Sequence, residues 1–468
     1  MPSPSSLPGL RPRTPLARRL GAALLLVAIV LTITWALDGG NRGPAGPASA
    51  SGCAPEAPAA ARPVALPLPD AAAWRDLDGA LVCLTHPLLV AEVYELPSRG
   101  WVLAGAERPK AATSDRALAA GTLRVRPAAA DLRNGDALVG AWGTLRLDDR
   151  GALLDDAHAD PERRNPRPAA PPHVGGDGDV RLAAVNLRNW FWRLGERGAA
   201  TVPEREAQLA KLIATLVPLD ADVLALAEVA NDDGRALDEL LERVNAAQRA
   251  LGRPAEAAYA AVSVPAPDRG TDAIRVAIAY RPARLTLVGA AVDRADVHDR
   301  PPLAATFDAP NGERFSVVAA HHRSKGGCPT SGDVDRGSGC WDLRRDAQTE
   351  ALLDFVADLG ARVGDVDVLV LGDLNAYRHE APVRRFADAG WWLAVDAMPE
   401  NDAYSYVFFG RAGALDHAAA SPSAAPRVTG AAFWHVNADE PPGADVERPT
   451  PYRASDHDPL VVSFGVGR

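Results

Sequence analysis

Apolar residues follow different rules in successive parts of the chain. Residues 20–37, LGAALLLVAIVLTITWAL, form an uncharged apolar run preceded by Arg11, Arg13, Arg18 and Arg19. Such a run is long for the core of a cleaved signal and short for a membrane span. Residues 1–38 therefore read as a basic segment and a hydrophobic anchor or signal, with everything after them exported. Residues 39–68 are Ala/Gly/Pro-rich and read as a tether. Over residues 70–160, runs such as GALVCLT, LLVAEVYEL, GWVLAG and ALVGAWGTLRL alternate with turn residues, which predicts a small all-β module. A Pro/Gly-rich linker over 161–179 follows.

From residue 180 to the C-terminus the pattern changes. VRLAAVNL, DVLALAEV, AIRVAIAYR, FSVVAAHH, VDVLVLGD and PLVVSF are near-continuous apolar strands. Between them lie helical stretches, among them PEREAQLAKLIATLVPL, with Leu209, Leu212, Ile213 and Leu216 on one face. Helices alternating with strands that are apolar on both faces predict an α/β domain over 180–468 whose sheets are covered on both sides.

The apolar strands share an ending. Asn186 follows LAAV, Glu228 follows VLALA, His321 follows VVAA, Asp373 and Asn375 follow VLVLG, and SDHDP precedes the last strand. A carboxylate or imidazole at the mouth of an apolar strand is costly unless paired or metal-bound. Each alone has an ordinary explanation as a cap, a turn or a surface pair. Repeated across the domain, the pattern points to one shared cleft. His321 and His322 are adjacent, so on a strand they face opposite sides, and parity alone does not say which faces the cleft.

The donor types select the chemistry. Asn and Glu are hard oxygen ligands, and no thiolate accompanies them, which favours Mg²⁺, Mn²⁺ or Ca²⁺ over zinc. Histidines from separate segments can neutralise or protonate a phosphoryl oxygen. In GDLN, Asp373 and Asn375 point the same way if the backbone stays extended, one to activate water and one to hold phosphate. There is no GxSxG elbow, Walker loop or post-strand GxGxxG, and the set suits metal-assisted phosphoester hydrolysis.

Charge and cysteines refine this reading. A formal charge of −10 argues against a generic nucleic-acid coat, but not against an enzyme whose metal supplies positive charge. Cys328 and Cys340 bracket a Gly/Ser/Asp loop with no histidine at zinc spacing, and in an exported chain they read as a disulfide. Cys53 and Cys83 remain as a possible second pair. The aromatic clusters Trp190–Phe191–Trp192 and Trp391–Trp392 are candidates either to stack bases or to pack the core.

The ordered motifs VNLRNWF, DVLALAEVAND, AIAYRP, HHRSKGG, VLVLGDLNAY, GALDHAAAS and SDHDPLVVSF resemble the endonuclease/exonuclease/phosphatase superfamily, the deoxyribonuclease-I-like fold. Within it the chain is most similar to secreted bacterial extracellular nucleases. The resemblance implies a four-layer α/β sandwich, two mixed β-sheets flanked by helices, preceded here by the small β module and the N-terminal membrane segment. It implies a metal on Asn186, Glu228 and Asp456, water activation at Asp373, phosphate binding at Asn375, and a phosphate contact from His457. Asp416 would orient a catalytic imidazole and favour its protonated form. Aligned on Ser-Lys-Gly, the resemblance makes His321 the catalytic histidine and puts His322 in an aromatic's place. Arg323 and Lys325 are candidates to grip substrate phosphates. The expected activity is that of an exported Mg²⁺-dependent nuclease (or one using Mn²⁺ or Ca²⁺), with nucleic acid as substrate. The membrane would be met through residues 20–37, and no obligate protein partner is implied. A phosphatase or phospholipase is the alternative within the superfamily, and an inactive surface binding module is the alternative outside enzymology.

Overall fold

Residues 53–467, apart from 130, 365, 366, 445 and 447, are described by a computed structural model. The apolar run 20–37 lies outside the described residues, among which no helix is long and apolar enough to cross a membrane.

The N-terminal strands close into a barrel. Its first strand is Leu81–Leu84 continued by Leu88–Glu92, its second Val102–Gly105, its third Thr122–Val125, its fourth Ala137–Asp148 and its fifth Gly151–Glu162. The first pairs with the second and the fourth, the third pairs parallel to the fifth, and the fourth and fifth form a long hairpin. Val82, Leu88, Val102, Leu123, Leu138 and Leu154 fill the interior, as the alternation of apolar positions requires. A disulfide joins Cys53 to Cys83 on the first strand.

The second unit begins with β1 (Val180–Trp190), α1 (Val202–Leu219), β2 (Val223–Ala230), α2 (Arg235–Ala250) and β3 (Ile274–Tyr280). It continues with β4 (Thr286–Val292), β5 (Leu303–Asp308), β6 (Arg314–His321), α3 (Asp342–Val363) and β7 (Val368–Asp373). It ends with α4 (Ala381–Asp388), β8 (Asp416–Ala420), β9 (Val428–Phe433) and β10 (Leu460–Phe464). One sheet has the order β3-β2-β1-β10-β9, with Ala260–Ala261 at its edge, and the other β4-β5-β6-β7-β8, with Trp392–Leu393 at its edge.

These sheets pack face to face. On β1, Leu182 and Ala184 join the core shared with Val317, Ala319, Leu369 and Leu371 of the other sheet. Their neighbours Ala183 and Val185 join the core under α1 and α2. Leu352, Phe355 and Leu359 of α3 cover the far side of the second sheet. The four layers are those expected, and they explain why the strands carry almost no polar positions: both faces are buried. Helix α1 starts with a capping box between Thr201 and Glu204, which satisfies the otherwise orphaned N–H groups of its first turn.

Candidate active site

Strand register assembles the site. β6 and β7 run parallel with His321 opposite Asp373, and β7 and β8 run antiparallel with Asp373 opposite Asp416. The three side chains therefore stand in a row on one face of the second sheet. From the first sheet, β1 and β2 run parallel with Asn186 opposite Ala227, which brings Asn186 beside Glu228. His457 arrives on the loop before β10. This convergence depends on a very close approach of β6 and β7. A Cβ on Gly372, at φ 144°, would lie 2.0 Å from the Ala320 carbonyl oxygen. Glu228 and Asn375 hold left-handed backbone angles of φ 62° and 49°, strain of the kind that persists where a site demands a particular side-chain direction.

Two overlapping groups result. Glu228, His321 and Asp373 place one ligand atom each within 4.8 Å of one another, as do Asp373, Asp416 and His457. Asp373 belongs to both. The His457 Nδ1 atom lies 2.7 Å from Asp416 Oδ2 and 3.8 Å from Asp373 Oδ2, while His321 Nε2 lies 3.6 Å from that same Asp373 oxygen. Asn186 donates from Nδ2 to Glu228 at 3.1 Å and to Asp373 at 3.4 Å. Its Oδ1 accepts from the Arg188 N–H and from Ser455 Oγ. The Asn189 N–H donates to Glu228 at 2.7 Å. Asn375 donates its backbone N–H to Asp373 at 2.8 Å and one side-chain proton to the His322 carbonyl at 3.1 Å. Its second amide proton is left for another acceptor.

The two histidines have opposite electrostatics. Burial pushes His321 well below the usual imidazole range, and the Arg300 guanidinium adds to that. For His457 burial acts the same way, but the carboxylates of Asp416 and Asp373 overcome it and hold the ring well above that range. One imidazole is thus neutral and the other charged at neutral pH. Burial raises the Asp373 carboxyl to about 7, against the opposing effect of His457. An acid whose affinity for protons matches the working pH is suited to proton transfer.

His322 points the other way. It is fully buried, with Nε2 3.1 Å from Thr349 Oγ1 on α3. Asp373 is the carboxylate grouped with Glu228, while Asp456 lies beside Ser455, whose Oγ is 3.4 Å from Asp456 Oδ1 and 3.4 Å from Asn186 Oδ1. The Lys325 ammonium is held by Glu380 and, at 2.7 Å, by the Ser338 carbonyl. Arg323 lies over the Trp341 ring with Asp299 nearby, fixing the loop closed by the Cys328–Cys340 disulfide. Loop bases two residues apart look like a phosphate grip in sequence, but their acidic partners are far along the chain and invisible there. Trp190 and Phe191 are core residues, so these two do not stack bases.

Sequence reasoning passed over Arg188 and Tyr406. Arg188 is exposed beside Asn186, and the Tyr406 ring centroid lies 4.8 Å from that of His457. Arg188 stands inside the VNLRNWF motif, so its place beside Asn186 was a usable signal. Nothing local marked Tyr406.

Buried carboxylates, imidazoles and an amide converging at the edge of two stacked sheets form a site suited to phosphoester chemistry. The endonuclease/exonuclease/phosphatase family model matches residues 185–457, and the chain belongs to that family, whose members are divalent-metal-dependent hydrolases of phosphoesters. No curated protein matches the chain. Among solved structures, the human Nocturnin catalytic domain with bound sulfate is 18% identical and covers 61% of this chain and 94% of its own, with a TM-score of 0.41. D. rerio TDP2 complexed with single strand DNA product is 17% identical over 62% of this chain and 100% of its own, at 0.41. A family protein from Bacteroides thetaiotaomicron is 17% identical over 62% of this chain and 98% of its own, at 0.40.

Proposed function

We propose that this chain is an exported nuclease that hydrolyses phosphodiester bonds with a divalent ion, Mg²⁺ in the first instance. The observation that carries this reading is the pair of clusters sharing Asp373, with a neutral His321 on one side and a charged His457 on the other.

The donors fit a hard cation. Glu228 and Asp373 place carboxylate oxygens within 4.8 Å of one another, beside the Asn186 amide. Asn186 now turns its nitrogen to both carboxylates, and a half-turn of the amide would present its oxygen instead. Glu228 and Asn186 would hold the ion, which would supply Lewis-acid charge to a phosphoryl oxygen, with Asp373 beside it left to the attacking water. The protein does the rest. Asp373 takes the proton of the attacking water. Asn375 offers its remaining amide proton to the phosphate. Charged His457, oriented by Asp416, faces the developing negative charge. Two disulfides among four cysteines suit an oxidising compartment and support export.

The full chain with Mg²⁺, Mn²⁺ or Ca²⁺ should nick plasmid DNA, and chelation should stop it. If the metal-loaded protein leaves DNA and RNA intact while releasing phosphate from small esters, it is a phosphatase and the nuclease reading is wrong.

A further inference from the structure

Beside the site runs a groove that the catalytic fold alone would not have. A cavity of about 910 Å³ opens between the N-terminal barrel and the second unit. One wall is the barrel's own: the loop joining its first and second strands (Tyr94, Trp101), its second and third strands (Leu103, Arg124), and the turn joining its fourth and fifth strands (Arg150). The other wall includes Arg188, Tyr406, Phe408, Phe409 and Asp456, and Tyr406 stands against His457. The barrel closes in the order first, second, third, fifth, fourth, with a parallel third–fifth pair. Five-stranded Greek-key barrels of this kind take oligonucleotides or oligosaccharides on the second and third strands and on those same two loops.

A row of rings leads from His457 into this groove. Tyr406 lies 4.8 Å from His457, Phe408 lies 6.4 Å from Tyr406, and Phe409 lies 4.4 Å from Phe408, centroid to centroid. Phe408 and Phe409 are 52% and 66% exposed, and Tyr94 across the groove is 59% exposed, so these large rings lack a protein partner over much of their surface. The barrel grips the hairpin that carries them. Gly410 donates its N–H to Glu92 at 2.6 Å, and a Cβ there would meet the Leu103 side chain at 2.5 Å. Ala412 exchanges backbone hydrogen bonds with Pro109 and Ala111.

The groove carries both signs, and Asp456, which His457, Arg453 and Arg188 hold below the usual carboxylate range despite its burial, is charged within it. Asp115 is paired with Arg411, Glu95 with Arg99, and Glu440 with Arg133 and Arg167. Burial holds Glu92 up to about 7, so near neutral pH it is only partly charged. Among the described residues, no ion pair or side-chain hydrogen bond engages Arg188 at one end of the groove or Arg150 at the other.

We infer that this groove carries an unpaired nucleic-acid strand leading to the active site, its bases stacked on Phe408, Phe409 and Tyr94 and its phosphates met by Arg188 and Arg150. The inference rests on the nuclease reading and specifies its substrate as single-stranded or frayed. Stacking needs bases, whereas the chemistry needs only the phosphodiester, and this separates the two claims.

The full chain is assayed on a short single-stranded oligodeoxynucleotide and on an abasic strand of equal length. The wild type should cleave the intact strand at least about tenfold more efficiently, in kcat/KM, than the abasic one. A Phe408→Ser, Phe409→Ser double variant should bring that ratio close to one. Because the ratio is taken within each protein, loss of folded enzyme cancels. Arg188→Gln with Arg150→Gln should flatten the log–log salt dependence of strand binding by about 0.7 per arginine. Equal rates of the wild type on both strands would overturn the groove and leave the nuclease reading standing; cleavage of neither would overturn the nuclease reading itself. If the double variant keeps its ratio, the rings do not stack bases and the strand path is wrong.

Discussion

At the scale of single residues, the site separates two histidines that sequence alone leaves equivalent. His321→Ala removes a neutral imidazole from the cluster with Glu228 and Asp373, and it should lower kcat by about a hundredfold or more. His322→Ala removes a buried ring that meets Thr349 on α3, and it should cost stability, about 2 kcal/mol, with most of kcat retained. Similar losses of kcat in the two variants would refute the assigned strand parity. Asp373 gives a second test, in the metal-free protein. Its carboxyl binds a proton more tightly in the folded state, at about 7, than at the ordinary value of 3.8. Its contribution to stability is therefore complete below pH 3.8 and is lost as pH rises to about 7. With chelator present, the melting temperature should fall across this window, and Asp373→Asn should flatten that fall. An unchanged slope would show that burial does not govern this carboxyl. The polar strand ends were legible because a charge at the mouth of an apolar strand stands out. The partners of Lys325 and Arg323 were not, since Glu380 and Asp299 meet them only through the fold.

At the scale of elements, the strands and the long helices follow from hydrophobic periodicity, but the spacing between strands does not. The approach of β6 to β7 is set by Gly372, an unremarkable letter in VLVLGD. Gly372→Ala would drive a methyl group into the Ala320 carbonyl and force a side chain to adopt a φ of 144°. The two strands would part where His321 faces Asp373. Denaturant unfolding should show a loss of at least about 2 kcal/mol, and activity should fall further than the lost stability explains. A midpoint within experimental error of wild type would show that the strands have room to spare. The hairpin Tyr406–Phe408 with Arg411–Gly413 was equally hard to foresee. Its run YSYVFF has the composition of a buried strand, yet two of its rings stand exposed because the barrel, not a sheet of its own unit, holds the turn.

At the scale of the whole molecule, the question is what fastens the barrel to the second unit. Composition marks residues 165–179 as a separator, and the early part of that stretch is tied down. Asn165 donates to Asp439 at 2.7 Å, and Arg167 pairs with Glu440 at 2.7 Å. Asp439 is wholly buried and also accepts from Arg108 of the barrel region and from the Tyr404 hydroxyl at 2.7 Å. Despite burial, Arg108, with His435 and Arg133 near it, holds the Asp439 carboxyl below the usual range. Glu440 meets Arg133 at 2.6 Å with both side chains buried. Such pairs are expensive to form and more expensive to break, because removing one partner strands the others without solvent. Asp439→Ala should therefore cost about 3 kcal/mol or more, concentrated at this junction. Calorimetry should then resolve two transitions in place of the single one expected for wild type, as the barrel melts apart from the second unit. The catalytic cluster does not include Asp439, so small diesters should still be hydrolysed once the protein is held below the first transition. Preference for intact over abasic strands should weaken, because the barrel supplies the far wall of the groove. A single, merely lowered transition would mean that other contacts couple the units, with the hairpin held at Gly410 and Ala412 the first to examine.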